Sequence, residues 1–257
     1  MSAEMNSDRS IDRSKTPDIV RVERTFPRFT VGQRWEHWLL FFSVAALLLT
    51  GLPQKYRAAA WSLQILSTPS RFNMIRQIHH ISAIVLLLIV VYHLARNLYL
   101  LLRKQLPADI FPNTQDIRNV WQMIKYLLFL SKDKPLYEKY NFEQKFSYWF
   151  LFLTIGVMGI TGLINWFPVQ ATRLLPGAVI PAARLAHSTE AIVIAIFVLI
   201  WHVYHVHIER LNLSIFTGRL SEEEMRKNHT LEYQRLLEEN NLSAQEEEAE
   251  LDAQQPE

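Results

Sequence analysis

Apolar and charged positions in this chain do not interleave; they fall into separate blocks. Four apolar blocks, at about 35–52, 81–102, 146–167 and 185–208, are long enough to cross a bilayer. A helix of about 20 residues covers about 30 Å, the thickness of the hydrocarbon core. Period-two alternation is absent, and in lipid each segment must satisfy its own backbone, which leaves helices. The pattern predicts an all-α, integral membrane four-helix bundle. The first block is short, so Arg34 and Lys55 are expected to snorkel to the interfaces. Three regions follow: a polar N-terminal segment (1–30), a four-span membrane domain (31–215) and an acidic tail (216–257).

The link 103–145 exceeds a simple turn. Within Asp116–Leu130, Ile117, Val120, Trp121, Ile124, Leu127 and Leu128 recur at helical spacing. They predict an amphipathic helix lying on the membrane or under a partner. From Ser221 to Glu257 the chain has twelve acidic and three basic residues; a solvated, partly helical tail is expected. No solenoid-type repeat is present.

Charge sets the orientation. Lys and Arg number seven before the first span, eight in the link 103–145 and five after the fourth span. The links 53–78 and 165–184 hold four and two. The positive-inside rule therefore places both termini and the long link in the cytoplasm. Trp35, Trp38, Trp61, Trp149, Trp166 and Trp201 sit near span ends, as interfacial aromatics do. Residues 1–30 lack the apolar core of a secretory signal.

Mean hydropathy is +0.02 over 257 residues, an average that hides the segregation; neither a single soluble domain nor a disordered chain fits. Cysteine is absent. That removes disulfides, Cys-ligated iron–sulfur clusters, thiolate zinc sites and covalently attached c-type haem. No dinucleotide fingerprint and no feature of nucleic-acid binding occurs.

Nine histidines remain, most of them in or beside the apolar blocks. Ionisable groups in a span are costly and mark function by default. His79 and His93 are 14 residues apart, about 21 Å along a helix and within about 40° of one face. His187 and His202 are 15 apart, about 22 Å and about 60° off. His37 starts span one, and His205 and His207 follow His202. Imidazole is a strong axial ligand of haem iron. Two groups at opposite depths, His79/His80/His187 and His37/His93/His202/His205, each suffice for a bis-histidine haem. Zinc at His202-x-x-His205-x-His207 is disfavoured, because only His202 and His205 share a helical face. His80 is expected to be an interfacial hydrogen bonder and His229 to be solvated. Arg34, Arg76, Arg96 and Arg210 flank the histidine depths, where guanidinium suits haem propionates. Glu190 lies one turn below His187.

Several motifs occur in order: Arg34-x-x-His37-Trp38 followed by Thr50-Gly51, Arg76-x-x-His79, Tyr140-Asn141-x-x-Gln144-Lys145, Thr161-Gly162, His187 and His202-x-Tyr204. With a tail patch at Gly218–Tyr233, they resemble the four-helix membrane cytochrome b subunits of formate dehydrogenases and nickel–iron hydrogenases, over roughly 30–235. The resemblance implies two b-type haems and quinone chemistry. It places His79 and His187 on the outer haem, His37 and His202 on the inner one, and Asn141 at the quinone. Glu143 stands where that family has glycine. His93 is a second departure. The stretch His79-His80-Ile81-Ser82-Ala83 through His93-Leu94-Ala95-Arg96 is similar to the second helix of bc-type cytochromes b. His37 and His93 are thus both candidates to pair with His202, and the spare histidines leave a third haem open.

The expected protein is a dihaem cytochrome b subunit of a bacterial or archaeal cytoplasmic membrane, with both termini inside. It carries electrons between a partner redox subunit on the outer face, iron–sulfur or multihaem c-type, and a menaquinone or ubiquinone near the inner face. Asn141, Glu143, Gln144 and Lys145 stand ready for proton delivery there. The other class is a haem-free membrane protein, either a transporter with a histidine relay or an anchor subunit.

Overall fold

A computed structural model describes residues 24–105, 108–208 and 212–253. The polar segment before residue 24, Arg210 and the last four residues lie outside them, and the His207 side chain is likewise not described. In order, the chain forms β1 (Thr25–Pro27), α1 (Val31–Lys55), α2 (Ala60–Ile65), α3 (Pro69–Leu102), α4 (Thr114–Leu127), α5 (Phe142–Trp166), α6 (Pro168–Leu174) and α7 (Val179–Ile196). Wider π-type turns, Phe197–His202 and Tyr204–Ile208, extend α7. Then come α8 (Ser214–Thr217), β2 (Arg219–Ser221), α9 (Glu222–Asn228) and α10 (Thr230–Ala253).

The four long apolar helices, Val31–Lys55, Pro69–Leu102, Phe142–Trp166 and Val179–Val206, are the membrane spans. Three of them start ahead of their apolar blocks, at polar capping residues. Thr30 with Gln33 and Asn141 with Gln144 form capping boxes on α1 and α5, and Thr68 caps α3 ahead of Pro69. Each cap satisfies backbone N–H groups that a helix start leaves unpaired. Large apolar side chains such as Phe42, Leu49, Leu88, Ile160 and Leu199 point outward, while Ser43, Thr50 and Thr161 are buried. That is the distribution expected when lipid is the solvent and small polar residues sit between helices.

α1 packs chiefly on α3, and α5 on α7. These two hairpins repeat each other. α1 and α5 are both 25 residues long. Thr30, Gln33, Arg34, His37, Trp38, Thr50 and Gly51 fall at the same helix positions as Asn141, Gln144, Lys145, Tyr148, Trp149, Thr161 and Gly162. Arg76 and His79 on α3 likewise answer to Arg184 and His187 on α7. One residue more separates His187 from His202 than His79 from His93, and the π-type turn at Phe197–His202 takes up that residue.

A small cap closes the end of the bundle that carries His37. β1 pairs antiparallel with β2, Phe26 opposite Leu220. Phe26, Leu220 and Met225 form its core, with Tyr233 and Leu236 against it. Arg28 Nη1 meets the Glu232 carboxylate at 3.1 Å, and Arg28 Nη2 donates to the Lys139 carbonyl at 2.5 Å. Burial lowers the Arg28 pKa from its ordinary value, opposed chiefly by Glu232. The segment 24–30, the link before α5 and the tail thus meet at one end. His229, expected to be solvated, is instead buried in the cap, its Nδ1 3.1 Å from the Glu138 carbonyl, because the link before α5 folds over it. The amphipathic helix is α4, held by a salt bridge at 2.9 Å between Lys145 and Asp116.

Candidate functional site

At one end of the bundle His79 and His187 face each other across the interior. Their ring centroids are 6.4 Å apart and their planes 71° apart. Metal–imidazole bonds of about 2.0 Å put the centroids of two opposed rings on one metal about 6.3 Å apart. Each ring is positioned by a Thr-Gly pair on the neighbouring helix. The Thr50 hydroxyl donates to the Ala46 carbonyl at 2.6 Å, so its oxygen accepts the Nδ1–H of His79 at 3.0 Å. Thr161 repeats this, donating to the Val157 carbonyl at 2.8 Å and lying 3.1 Å from Nδ1 of His187. With Nδ1 engaged in this way, Nε2 is in each ring the nitrogen that could take a metal.

The glycines complete the cradle. A Cβ on Gly51 would lie 3.3 Å from Cε1 of His79, and one on Gly162 3.2 Å from Cε1 of His187. Only glycine lets these rings lie this close to the helix without displacing something.

At the other end His37 and His202 face each other with centroids 6.2 Å apart and planes at 32°. This spacing also fits two imidazoles on one iron. On α1, His37 is thirteen residues from Thr50, about 20 Å along the helix. His93 lies elsewhere. Its Nδ1 donates to the buried Glu36 carboxylate at 2.8 Å, and its Nε2 receives the Asn97 amide at 2.8 Å and the Tyr148 hydroxyl at 3.1 Å. Arg96 flanks Glu36 at 3.7 Å. Of the two candidate partners for His202, the fold brings up His37.

The remaining candidates have definite places. Asn141 is 1% exposed, and its carboxamide caps α5 through the Gln144 backbone N–H at 2.8 Å. The Gln144 side chain answers the Asn141 N–H at 3.3 Å and accepts from Arg28 at 3.4 Å. Lys145, paired with Asp116, edges an apolar cavity of about 450 Å³ between α4, α5 and α7, walled by Phe142, Phe146, Trp149 and Trp201. His205 donates from Nδ1 to the Trp201 carbonyl at 2.8 Å, and His80 stacks on Trp166 at 4.1 Å. Arg34 donates to the Phe216 carbonyl in the cap, Arg76 to Asn73 at 3.2 Å, and Glu190 is half-buried on α7. Sequence reasoning passed over Glu36 and Asn97. Asn97 lies one helical turn from His93, a signal the sequence carried, whereas Glu36 meets His93 only once α1 and α3 are in register.

Four spans around two imidazole pairs at opposite ends define a membrane-embedded haem cytochrome of the electron-transport class. The chain belongs to the prokaryotic cytochrome b561 family, whose sequence profile matches residues 28–218. It is 24% identical over 183 residues to the Escherichia coli protein named formate dehydrogenase, cytochrome b556(fdo) subunit, covering 70% of this chain and 78% of that protein. It is 26% identical over 208 residues to the formate dehydrogenase cytochrome b556 subunit of Haemophilus influenzae, covering 78% and 72%. The nitrate-inducible formate dehydrogenase cytochrome b556(Fdn) subunit of E. coli matches at 23% over 201 residues, 78% of this chain and 86% of that protein. The protein is thus a multi-pass prokaryotic membrane cytochrome b of an oxidoreductase complex.

Proposed function

We propose that this chain is the dihaem, quinone-reactive membrane subunit of a complex related to formate dehydrogenase. His79 and His187 would hold one b-type haem, and His37 and His202 the other. The observation that carries this is the spacing of the two pairs, 6.4 and 6.2 Å, at opposite ends of one bundle. When bound, the haems supply one-electron transfer along the bundle. The chain's own residues do the rest. Thr50 and Thr161 hold the Nδ1 protons, Gly51 and Gly162 admit the rings, and the apolar spans keep water out.

The segment 24–30, the basic link 103–145 and the tail gather at the His37/His202 end, which supports cytoplasmic placement of both termini. The His79/His187 end then faces outward, toward an iron–sulfur or multihaem c-type partner subunit. The relatives' names, each a subunit of formate dehydrogenase, support a partner subunit as such. Quinone and quinol would interconvert at the inner end, the two electrons passing one at a time by way of the haems and the two protons passing to or from the cytoplasmic side. Asn141, Gln144 and Lys145 shape that end by starting α5 and edging the cavity under α4.

The test is a dithionite-reduced minus oxidised spectrum of the detergent-purified chain, with the haem-to-protein ratio measured alongside. A b-type α-band with two haems per chain is expected. A colourless chain after expression with ample porphyrin removes the proposal.

A further inference from the structure

The repeat of the two hairpins leaves one position without a role in electron transfer. His79 and His187 exchange with each other under the repeat, so the outer pair is its own counterpart. The inner pair is not. His37 on α1 answers to Tyr148 on α5, and His202 on α7 answers to His93 on α3. The bundle therefore builds the inner clasp twice. The centroids of His93 and Tyr148 are 6.1 Å apart, against 6.2 Å for His37 and His202. Instead of a second ligand, this twin carries a phenol, and the phenol oxygen lies 3.1 Å from Nε2 of His93. Two opposed bonds of about 2 Å would need about 4 Å, so this pair does not clasp a haem iron from both faces as His37 and His202 would.

We propose that the His93–Tyr148 twin binds the head group of a 1,4-quinone through one of its oxygens. This rests on the quinone reading above and assigns that reading its contacts. Hydrogen bonding has a definite direction here. The Glu36 carboxylate, with Arg96 beside it, takes the Nδ1–H of His93, so Nε2 presents a lone pair. Two donors, Tyr148 O–H and Asn97 N–H, converge on that one lone pair. A second acceptor is therefore accommodated without breaking the Glu36–His93 bond.

A quinone oxygen needs a donor as a carbonyl and an acceptor as a quinol hydroxyl. Tyr148 supplies the first and Nε2 of His93 the second, so one site serves both oxidation states. Glu36 adjoins His37 in the chain, which sets the head group beside the inner haem ligands. The His93 side chain is 29% exposed, so it is open to a ligand. By contrast, Asn141 is closed off in its helix cap, and the cavity under α4 offers chiefly aromatic walls and an ion pair already satisfied.

The experiment uses the full-length, haem-loaded chain and menadione. Binding is measured by calorimetry, and the rate of haem reduction by menadiol is followed by stopped flow. Tyr148→Phe is expected to weaken menadione binding about tenfold, the loss of one hydrogen bond. Asn97→Leu weakens it less and His93→Leu more, while all three keep two haems and an unshifted α-band. Unchanged binding in Tyr148→Phe and His93→Leu overturns the assignment and leaves the quinone reading standing. So does a loss confined to Lys145→Met, which moves the head group under α4. A haem count of three in the parent chain, or loss of a haem in His93→Leu, overturns it by making His93 a ligand. No binding and no reduction in the parent chain overturns both readings. If His93→Leu fails to assemble, Tyr148→Phe and Asn97→Leu decide.

Discussion

The two ends of the bundle use the same parts to opposite effect. At the His79/His187 end the two hairpins contribute equally. A Thr-Gly pair on α1 seats the histidine of α3, and the same pair on α5 seats the histidine of α7. At the His37/His202 end the hairpins contribute unequally, one supplying His37 where the other supplies Tyr148. A ligand lying on the axis of a two-fold repeat uses both halves at once, so both are held to the same residues. A ligand lying off that axis has two equivalent positions and occupies one. The other position is released to diverge, and here it carries a polar network of Glu36, His93, Asn97 and Tyr148.

The sharpest way to break this comparison is to remove ligands. His187→Ala and His37→Ala are each expected to lower haem content from two per chain to one, whereas His93→Ala leaves two. A pyridine haemochrome assay reads the count. A haem lost with His93 and kept without His37 reverses the inner assignment.

Next comes the cap, which closes the His37/His202 end. Arg28→Ala leaves the Glu232 carboxylate buried without its partner, at a cost of about 3–5 kcal/mol. Thermal denaturation should show an earlier transition in which the inner haem is released before the outer one. Simultaneous release would mean that the cap supports both ends alike.

The symmetry of the outer end is then open to measurement. Thr50→Val and Thr161→Val each remove the group that takes an Nδ1 proton, and such orienting partners are typically worth about 10–100-fold in metal affinity. The two variants should weaken outer haem retention by the same factor; a large difference between them would end the claim of equivalence. The smallest effect expected is from Asn141→Ala, about 1 kcal/mol of stability from a lost helix cap. Chemical denaturation monitored through the haem band would detect it.

The spans were legible because lipid demands long apolar runs, and four were present. Their starts were not, since Thr30, Thr68 and Asn141 cap helices from within polar sequence, and α3 begins twelve residues before its apolar block. The Thr-Gly dipeptides looked commonplace. Their value comes from a neighbouring helix bringing an imidazole to 3.2–3.3 Å from where a Cβ would stand, and no single helix contains that information. His93 looked as good a ligand as His37 because both sit at inner depth. The distinction rests on Glu36 and Tyr148, which come from two other helices. His229 looked solvated because its neighbours in the chain are charged, and the groups that bury it lie some ninety residues away.

The β1–β2 ribbon joins segments that flank all four crossings. It can close only after the last helix has inserted, and only if the number of crossings is even. A nascent chain that skipped a crossing would carry Leu220 to the far side of the bilayer, leaving Phe26 with no strand to pair against. The three-residue zipper thus acts as a parity check, recording that insertion has finished with both flanks on one side of the bilayer.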